Sequence, residues 1–247
     1  MNFFYLCVMN NLILPAIEAA QAAGRAIMEV YAQPFDVYTK DDDSPVTQAD
    51  LRASAIIKEM LEPTGLPFVS EEDLPPDRST FGRYWLVDPL DGTAEFVKRN
   101  GEFTVNIALI ENKRPVLGVI YAPTLDKLWT SHHIPTPSHL SPFTVLVSRS
   151  HRTPEVDEYI NKVLRPAHPD LVIDSQGSSL KFARLVEGTA DVYVCYSKTK
   201  EWDTAAADAI LTASGGKVLR ICDGMPLEYD KEDYPNPPFV AWAPGRI

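Results

Sequence analysis

Apolar residues recur every three or four positions over residues 12–31, in the first part of the chain. This spacing places them on one face of a helix, so a long amphipathic helix is predicted there, ending before Pro34. A second helix is predicted from Thr47 through Leu61, because Thr47 stands three residues before Asp50, the spacing of a capping box. Each helix has one apolar face and must therefore pack against another layer of the protein.

Shorter apolar runs follow, separated by turn residues, and such runs are typical of β-strands. In the first half of the chain, strands are predicted at 67–70, 103–110, 116–121 and 127–131. Beyond a Pro- and Ser-rich stretch at 134–142, strands at 143–148, 171–174 and 191–195 alternate with helices at 155–164, 178–187 and 203–214. The alternation predicts an α/β (α+β) fold with two subdomains, an α+β unit at 1–140 and an α/β unit at 141–247.

The composition is that of a soluble globular protein, since 45% of the 247 residues are hydrophobic and 23% are charged. The net charge of −11 argues against a nucleic-acid polymer or an anionic membrane as a partner. An acidic protein can still bind an anionic small molecule where metal ions supply local positive charge. The three cysteines, Cys7, Cys195 and Cys222, are isolated in the sequence, which predicts reduced, buried thiols in a cytoplasmic protein.

The first nine residues are apolar, but they are too few to span a bilayer and no Lys or Arg precedes them. Two interpretations stay open: an extension packed on the body of the protein, or translation that starts at Met9. No transmembrane segment is predicted anywhere in the chain.

The segment most informative about chemistry follows the apolar run at 84–87, where Asp88 and Asp91 stand three residues apart. Two carboxylates held this close repel each other and lose solvation, and a cation between them would offset that cost. Oxygen ligands without a nearby Cys or His favour Mg²⁺ or Mn²⁺ over zinc. Gly92 and Thr93 come next, at a predicted helix start whose free N–H groups favour a phosphate. A metal beside a phosphate is therefore predicted; the alternative is a solvated turn, because Asp-Pro and Asp-Gly are common turn pairs.

Two further acids stand at the ends of predicted elements. Glu71 follows the predicted strand at 67–70, and Asp203 precedes an Ala-rich predicted helix. Loops at strand ends collect functional residues in α/β folds, so both acids are candidate ligands of the same cation. The alternative to a functional role for Asp203 is that it is the N-cap of the helix that follows. Asp50 has a similar alternative, because an acid at the third position of a helix is favoured by the helix dipole. Residues 148–151 add hydroxyl and basic groups suited to a phosphate or a base.

Three segments, in this order, resemble the hallmark of the inositol monophosphatase family: Ser70-Glu71-Glu72, Asp88-Pro89-Leu90-Asp91-Gly92-Thr93 and Trp202-Asp203-Thr204-Ala205-Ala206. Four stretches resemble its 3'(2'),5'-bisphosphate nucleotidase branch, and they lie at 96–106, 147–151, 177–182 and 201–205. The resemblance covers most of the chain and fades towards its end. It implies the layered αβαβα sandwich of the inositol monophosphatase and sugar phosphatase type.

The resemblance also implies which residues form the site. The metal ligands would be Glu71, Asp88, the carbonyl of Leu90, Asp91 and Asp203. The substrate contacts would be Glu71, Leu90, Asp91, Gly92, Thr93, Ser148, His151, Gly177, Lys181 and Asp203. The catalytic pair would be Thr93 and Asp50, which activate a water. Two or three Mg²⁺ ions in each active site are implied, with Mn²⁺ as a substitute and Li⁺ as an inhibitor.

The implied activity is Mg²⁺-dependent hydrolysis of a phosphomonoester in a small phosphorylated nucleotide. The substrate 3'-phosphoadenosine 5'-phosphate would give AMP, and its 5'-phosphosulfate analogue would give adenosine 5'-phosphosulfate. An inositol-1-monophosphatase or a fructose-1,6-bisphosphatase is the alternative enzyme, and a pseudoenzyme that senses nucleotide or metal is the alternative outside enzymes. The implied protein is a monomer or homodimer in the cytoplasm or at the periphery of the inner membrane, without stable membrane insertion.

One stretch departs from the nucleotidase pattern. Members of the branch usually have a sequence similar to R-[F/L]-x-P-T before the Glu-Trp-Asp segment, where this chain has Tyr196-Ser197-Lys198-Thr199-Lys200. The proline is absent and two lysines are added, so the nucleoside preference stays open. The predicted metal ligands are unaffected.

Overall fold

The computed structural model describes residues 3–39, 45–75, 77–78, 80–137 and 142–246, with side chains from residue 11 onward. The helices are α1 (Phe3–Tyr31), α2 (Gln48–Leu61), α3 (Thr93–Val97), α4 (Pro154–Tyr159), α5 (Leu180–Val186) and α6 (Glu201–Ala213). A short 3-10 turn, Glu62–Thr64, continues α2, and a π-helical segment, Ile160–Leu164, continues α4.

The described strands form two five-stranded sheets and one two-stranded sheet. They are β1 (Val37–Thr39), β2 (Pro45–Thr47), β3 (Phe68–Ser70), β4 (Arg83–Asp91), β5 (Thr104–Glu111), β6 (Arg114–Ala122), β7 (Lys127–Thr130), β8 (Thr144–Ser148), β9 (Val172–Gln176), β10 (Val192–Cys195), β11 (Lys217–Arg220) and β12 (Phe239–Trp242). The first large sheet has the order β3-β4-β5-β6-β7, and only its β3-β4 pair is parallel. The second has the order β11-β12-β10-β8-β9, in which β8 is parallel to both of its neighbours.

Helices α1 and α2 pack against each other and against one face of the first large sheet.

The predicted capping box at the start of α2 is confirmed. Thr47 Oγ1 accepts a hydrogen bond from the N–H of Ala49, and Asp50 accepts one from the N–H of Thr47 at 2.8 Å. This reciprocal cap fixes the position of Asp50, because both partners are buried.

The apolar run at 84–87 has no polar position because β4 is covered on both faces. Trp85 and Val87 join the core under α1 and α2, whereas Tyr84 and Leu86 join the core under α5 and α6 on the opposite face. Successive side chains of a strand point to opposite faces, so every position in such a strand is buried.

The second large sheet continues the stacking. Leu146 and Tyr193 belong to the core shared with α5 and α6, and Val145 and Val192 belong to the core shared with α4. The layers therefore run α1 and α2, first sheet, α5 and α6, second sheet, α4. The predicted αβαβα sandwich is confirmed.

Helix α6 lies directly on the first sheet at the point where β6 carries Gly118. A methyl group at Gly118 would collide with the backbone oxygen of Ala206 and would lie 3.0 Å from Cβ of Ala209. Ala205, Ala206 and Ala209 are themselves buried. The distance between α6 and the sheet is thus set by contact between main chains and small side chains.

Some expectations need correction. The sequence does not predict β1, β2, β11 or β12, which are only three or four residues long. Helix α1 begins at Phe3 instead of near residue 12. Burial of Cys195 is confirmed, but burial of Cys222 is wrong, because Cys222 is exposed in the turn that follows β11.

Three expectations fall on parts that the structure leaves undescribed. The side chains around Met9, which would decide between a packed extension and a later start, lie outside the described residues, as does the side chain of Cys7. The predicted subdomain boundary falls within 138–141, which also lies outside them. Among the described helices, none is both long and apolar enough to cross a lipid bilayer.

Asp208 is a buried acid in the middle of α6. Its carboxylate accepts hydrogen bonds from the hydroxyl of Tyr229 at 3.0 Å and from Thr212 Oγ1 at 3.1 Å. Burial raises the pKa of Asp208 to about 6, although the two hydrogen bonds oppose the increase. The folded protein therefore holds this proton more tightly than the unfolded chain does, so Asp208 weakens stability as the pH rises through its folded pKa.

We expect Asp208→Asn to raise the free energy of unfolding by about 1–3 kcal/mol near pH 8, because it removes a buried charge. The hydroxyl of Tyr229 lies 3.3 Å from Thr204 Oγ1, so it can donate there and accept from the new amide. Denaturant titrations in EDTA measure the difference, which should shrink as the pH falls from about 6 to about 4. A difference that is independent of pH would contradict the raised pKa.

Candidate active site

Three carboxylates meet where β4 ends and α6 begins. Ligand oxygens of Asp88, Asp91 and Asp203 all lie within 4.8 Å of one another. Residues three apart point to opposite faces of a regular strand, but the pairing of β4 with β5 is irregular between Asp88 and Asp91. This irregularity allows both side chains of β4 to reach the same cluster.

The electrostatics of the cluster fit a bound cation. Burial raises the pKa of Asp203 well above its ordinary value, and the negative charges of Asp91 and Glu71 raise it further. Burial also raises the pKa of Asp91, while the positive charge of Lys181 and two hydrogen bonds lower it. Charged carboxylates so close together are stabilised by a cation among them. A site that offers only oxygen atoms suits Mg²⁺ or Mn²⁺.

Asp91 is held by neighbours that the sequence analysis does not single out. Its Oδ2 accepts hydrogen bonds from the N–H of Ser179 at 2.6 Å, from Asn106 Nδ2 at 3.2 Å and from Thr104 Oγ1 at 3.4 Å. Asn106 and Thr104 lie on β5, in register with Asp88 and Asp91 respectively. The sequence contains one signal for these two residues, because they are polar side chains at alternate positions of an otherwise apolar strand. Side chains that pair across strands with candidate metal ligands can contact those ligands.

Thr93 and Asp50, the catalytic pair that the resemblance implies, contact each other. Thr93 Oγ1 lies 3.1 Å from Asp50 Oδ1 and 3.1 Å from the carbonyl oxygen of Leu90. Asp50 uses its other oxygen to cap α2, so the capping interpretation also holds. Burial raises the pKa of Asp50, and hydrogen bonds from Thr47 and Thr93 oppose the increase.

Asp203 also caps a helix. It stands at the third position of α6, and its Oδ2 accepts a hydrogen bond from the N–H of Lys200 at 2.8 Å. The N-cap alternative is wrong, because Lys200 is the N-cap and Asp203 completes a capping box from the third position of the helix. The same Asp203 side chain belongs to the carboxylate cluster. Helix capping fixes the orientation of Asp203 before any ion binds.

The loop between β4 and α3 requires a glycine. Gly92 has a φ of +91°, and a Cβ there would lie 2.8 Å from the backbone oxygen of Glu102. Only glycine combines that conformation with so close an approach. Gly92 thereby presents main chain, without side-chain bulk, to the space in front of the carboxylates.

One cavity of about 610 Å³ contains the site. All ten predicted substrate-contact residues line it, namely Glu71, Leu90, Asp91, Gly92, Thr93, Ser148, His151, Gly177, Lys181 and Asp203. Asp88 lines the cavity as well. Asp50 is absent from the lining, because it lies behind Thr93. Other lining residues are not predicted as substrate contacts, including Glu95, Ser178, Ser179, Lys198 and Lys200.

Lys181 supports the wall of the cavity from within. Its ammonium group donates to the carbonyl oxygens of Ser178 at 2.6 Å and Gln176 at 3.3 Å. Burial lowers the pKa of Lys181, while the nearby charge of Asp91 raises it. The side chain therefore holds the turn at 176–179, the same turn whose Ser179 N–H binds Asp91.

Comparisons with known proteins agree on one family. The model of the inositol monophosphatase family matches residues 9–243. The 3'(2'),5'-bisphosphate nucleotidase CysQ of Escherichia coli K12 is 43% identical over 243 residues, covering 90% of this chain and 96% of the relative. Its Salmonella typhimurium counterpart is 44% identical over 242 residues, with the same shares covered.

A solved structure supports the same relationship. CysQ from Bacteroides thetaiotaomicron, described as a bacterial member of the inositol monophosphatase family, is 38% identical and has a TM-score of 0.85. The match covers 95% of this chain and 97% of that one. Shared fold, family match and identity over most of both sequences lead to a single conclusion: the chain belongs to the inositol monophosphatase family.

Proposed function

We propose that this protein is a Mg²⁺-dependent 3'(2'),5'-bisphosphate nucleotidase that hydrolyses 3'-phosphoadenosine 5'-phosphate to AMP and phosphate. The proposal is carried by the cluster of Asp88, Asp91 and Asp203 beside the main chain of Gly92 and Thr93. It is supported by the CysQ relatives, which carry that activity in their names. The 5'-phosphosulfate analogue is a second proposed substrate.

The metal ligands are proposed residue by residue. Glu71, Asp88 and the carbonyl of Leu90 would hold one ion, and Asp88, Asp91 and Asp203 would hold a second. A divalent cation held by these residues would lower the pKa of the attacking water and would offset negative charge on the phosphate. Mn²⁺ is a proposed substitute, and Li⁺ a proposed inhibitor.

Thr93 and Asp50 form the proposed proton path. The hydroxyl of Thr93 accepts a proton from the attacking water as it passes its own proton to Asp50 Oδ1, 3.1 Å away. Burial of Asp50 favours its protonated form, which suits it to receive this proton. The carbonyl of Leu90 is a second acceptor at 3.1 Å for the single proton of the Thr93 hydroxyl, and with this carbonyl bound to the metal ion the proton would point to Asp50.

The remaining residues position the substrate. The N–H groups of Gly92 and Thr93 would bind the oxygens of the scissile phosphate. Ser148, His151 and Gly177 would contact the nucleotide, and Lys181 would keep the turn beneath it in place. Attack of the water would form a new P–O bond as the P–O bond to the ribose breaks, without a covalent enzyme intermediate. The ribose oxygen that leaves would take a proton from solvent water.

We expect Thr93→Ala to lower kcat by about 10- to 100-fold and to change KM little, because it removes only the hydroxyl step. Thr93→Ser keeps the hydroxyl and should restore most of the activity. Steady-state kinetics at saturating Mg²⁺ measure both. An unchanged kcat in Thr93→Ala would remove this residue from water activation.

A substrate panel tests the proposed function. The purified protein is assayed with Mg²⁺ for phosphate release from 3'-phosphoadenosine 5'-phosphate, inositol 1-phosphate and fructose 1,6-bisphosphate, with and without Li⁺. We expect the nucleotide to give the highest kcat/KM and Li⁺ to inhibit. Preference for inositol 1-phosphate or the sugar would assign the alternative enzyme, and no turnover of any compound would indicate a sensing pseudoenzyme.

A cytoplasmic location is proposed for the protein, as a monomer or homodimer. Cys195 and Cys222 are free thiols, which suits a reducing compartment.

A further inference from the structure

A side pocket adjoins the catalytic cavity. It is lined by His151, Arg152, Thr153, Glu155, Tyr196, Ser197 and Lys198. Three of these residues, His151, Ser197 and Lys198, also line the catalytic cavity. A ligand bound at the carboxylate cluster can therefore extend past these three residues into the side pocket.

The main cavity is strongly acidic. Besides the three clustered carboxylates, Glu71 and Glu95 line it, and Glu95 is buried. A substrate with two phosphate groups has one that is hydrolysed and one that is not. The acids of the cavity would repel the second phosphate and cannot serve as its counter-ion. It would have to bind away from them, beside a positive group that is not already neutralised.

The lysines of the cavity differ in their availability. Lys181 is buried, and its ammonium group is bound to two carbonyl oxygens. Lys200 lines the catalytic cavity but not the side pocket, and its main chain is tied to Asp203. Lys198 lines both, is exposed, and has no hydrogen bond or ion pair with any residue that the structure describes.

Two other basic side chains, those of Arg152 and His151, line the side pocket. Arg152 is already paired, since its Nε lies 3.0 Å from Asp157 Oδ1. The main chain of His151 is held at the junction of the two cavities, because its N–H donates to Ser148 Oγ at 3.1 Å. The ammonium group of Lys198 is thus the cation at the junction whose charge is available to a ligand.

We propose that Lys198 binds the second, non-scissile phosphate of a bisphosphorylated substrate and so sets the preference for bisphosphates over monophosphates. This inference rests on the proposed nucleotidase function. Lys198 belongs to residues 196–200, where the chain departs from the nucleotidase pattern and carries lysines at different positions from the arginine of that pattern. The interaction is formed equally in the ground state and the transition state, so it acts on KM and not on kcat.

The test compares two substrates that differ only in the second phosphate. The kcat and KM of the full-length protein with Mg²⁺ are measured for 3'-phosphoadenosine 5'-phosphate and for adenosine 3'-monophosphate. We expect Lys198→Gln to raise KM for the bisphosphate by about fivefold, the upper range for an exposed ion pair, with kcat nearly unchanged. The kinetics of the monophosphate should stay within about twofold, since no phosphate reaches Lys198.

Matched variants separate this role from general effects. Lys198→Arg keeps the charge and should retain most of the preference for the bisphosphate. Lys217→Gln removes another exposed lysine, on β11, and should change the kinetics of neither substrate. In the wild type, added salt should lower the preference, because an exposed ion pair is screened.

The outcomes distinguish the two proposals. If the wild type prefers the bisphosphate and Lys198→Gln keeps that preference, the role of Lys198 is overturned and the nucleotidase activity stands. The same holds if Lys200→Gln, and not Lys198→Gln, removes the preference. If the wild type releases phosphate from neither nucleotide, the nucleotidase function is overturned, and the role of Lys198 with it.

Discussion

Asp91→Asn is expected to lower kcat/KM by at least about 100-fold, because loss of a partner that only supports metal ligands already costs 10- to 100-fold. The substitution keeps the size of the side chain. An amide oxygen in place of Oδ2 can still accept the 2.6 Å hydrogen bond from the N–H of Ser179. The amide nitrogen would then face the cluster with Asp88 and Asp203, where it cannot bind a cation.

The measurement is phosphate release against Mg²⁺ concentration, with circular dichroism to check the fold. Asp170→Asn, at an exposed position, is the matched control and should behave as the wild type does. In EDTA, Asp91→Asn should unfold at the same or a higher temperature, because burial disfavours the charged form of Asp91. Near-full turnover at saturating Mg²⁺ would show that Asp91 is not a metal ligand.

Arg78→Met is expected to lower the free energy of unfolding by about 3 kcal/mol or more, the range for breaking a buried ion pair from one side. Arg78 and Glu201 are 7% and 0% exposed, and their side chains meet at 2.7 Å. Arg78 also lies over the ring of Tyr234, 4.0 Å from its centroid. Removing the guanidinium leaves a buried carboxylate that Lys231 neutralises only in part.

The loss should extend to activity, because Glu201 is the first residue of α6 and Asp203 follows two positions later. Denaturant titration in EDTA gives the stability without a contribution from bound metal. The control is Arg52→Met, since Arg52 contacts Glu29 at 2.8 Å with both side chains exposed. That pair should cost less than about 1 kcal/mol. Equal losses in the two variants would contradict a special role for the buried pair.

Features of the fold that depend on neighbours in sequence are predicted well. The capping box of Thr47 and Asp50 and the amphipathic spacing in α1 are local, so the sequence alone specifies them. Strands β11 and β12 are missed because they are short and pair with each other across more than a dozen intervening residues. A four-residue run carries no sequence signal that identifies a partner strand so far along the chain.

The candidate site follows the same division. The acids of the motif are predicted because their spacing is specific, and the structure brings three of them together. The groups that hold the acids in place are not predicted. The N–H of Ser179, at the N-cap of α5, donates to Asp91, and Arg78, in the loop between β3 and β4, donates to Glu201. Both contacts depend on how separate layers pack, which no local pattern encodes.

The contact between α6 and β6 has a consequence for ion selectivity. The helix carries Asp203, the adjoining sheet carries Asp88, and Gly118 holds the two elements at main-chain contact. The spacing between the backbone of α6 and that of the sheet, from which Asp203 and Asp88 extend, is therefore set by main-chain contact. Ca²⁺ needs ligand distances of about 2.3–2.6 Å, against about 2.0–2.1 Å for Mg²⁺. In the proposed metal site, a fixed helix-to-sheet spacing would favour Mg²⁺, which has the shorter ligand distances, over the larger Ca²⁺.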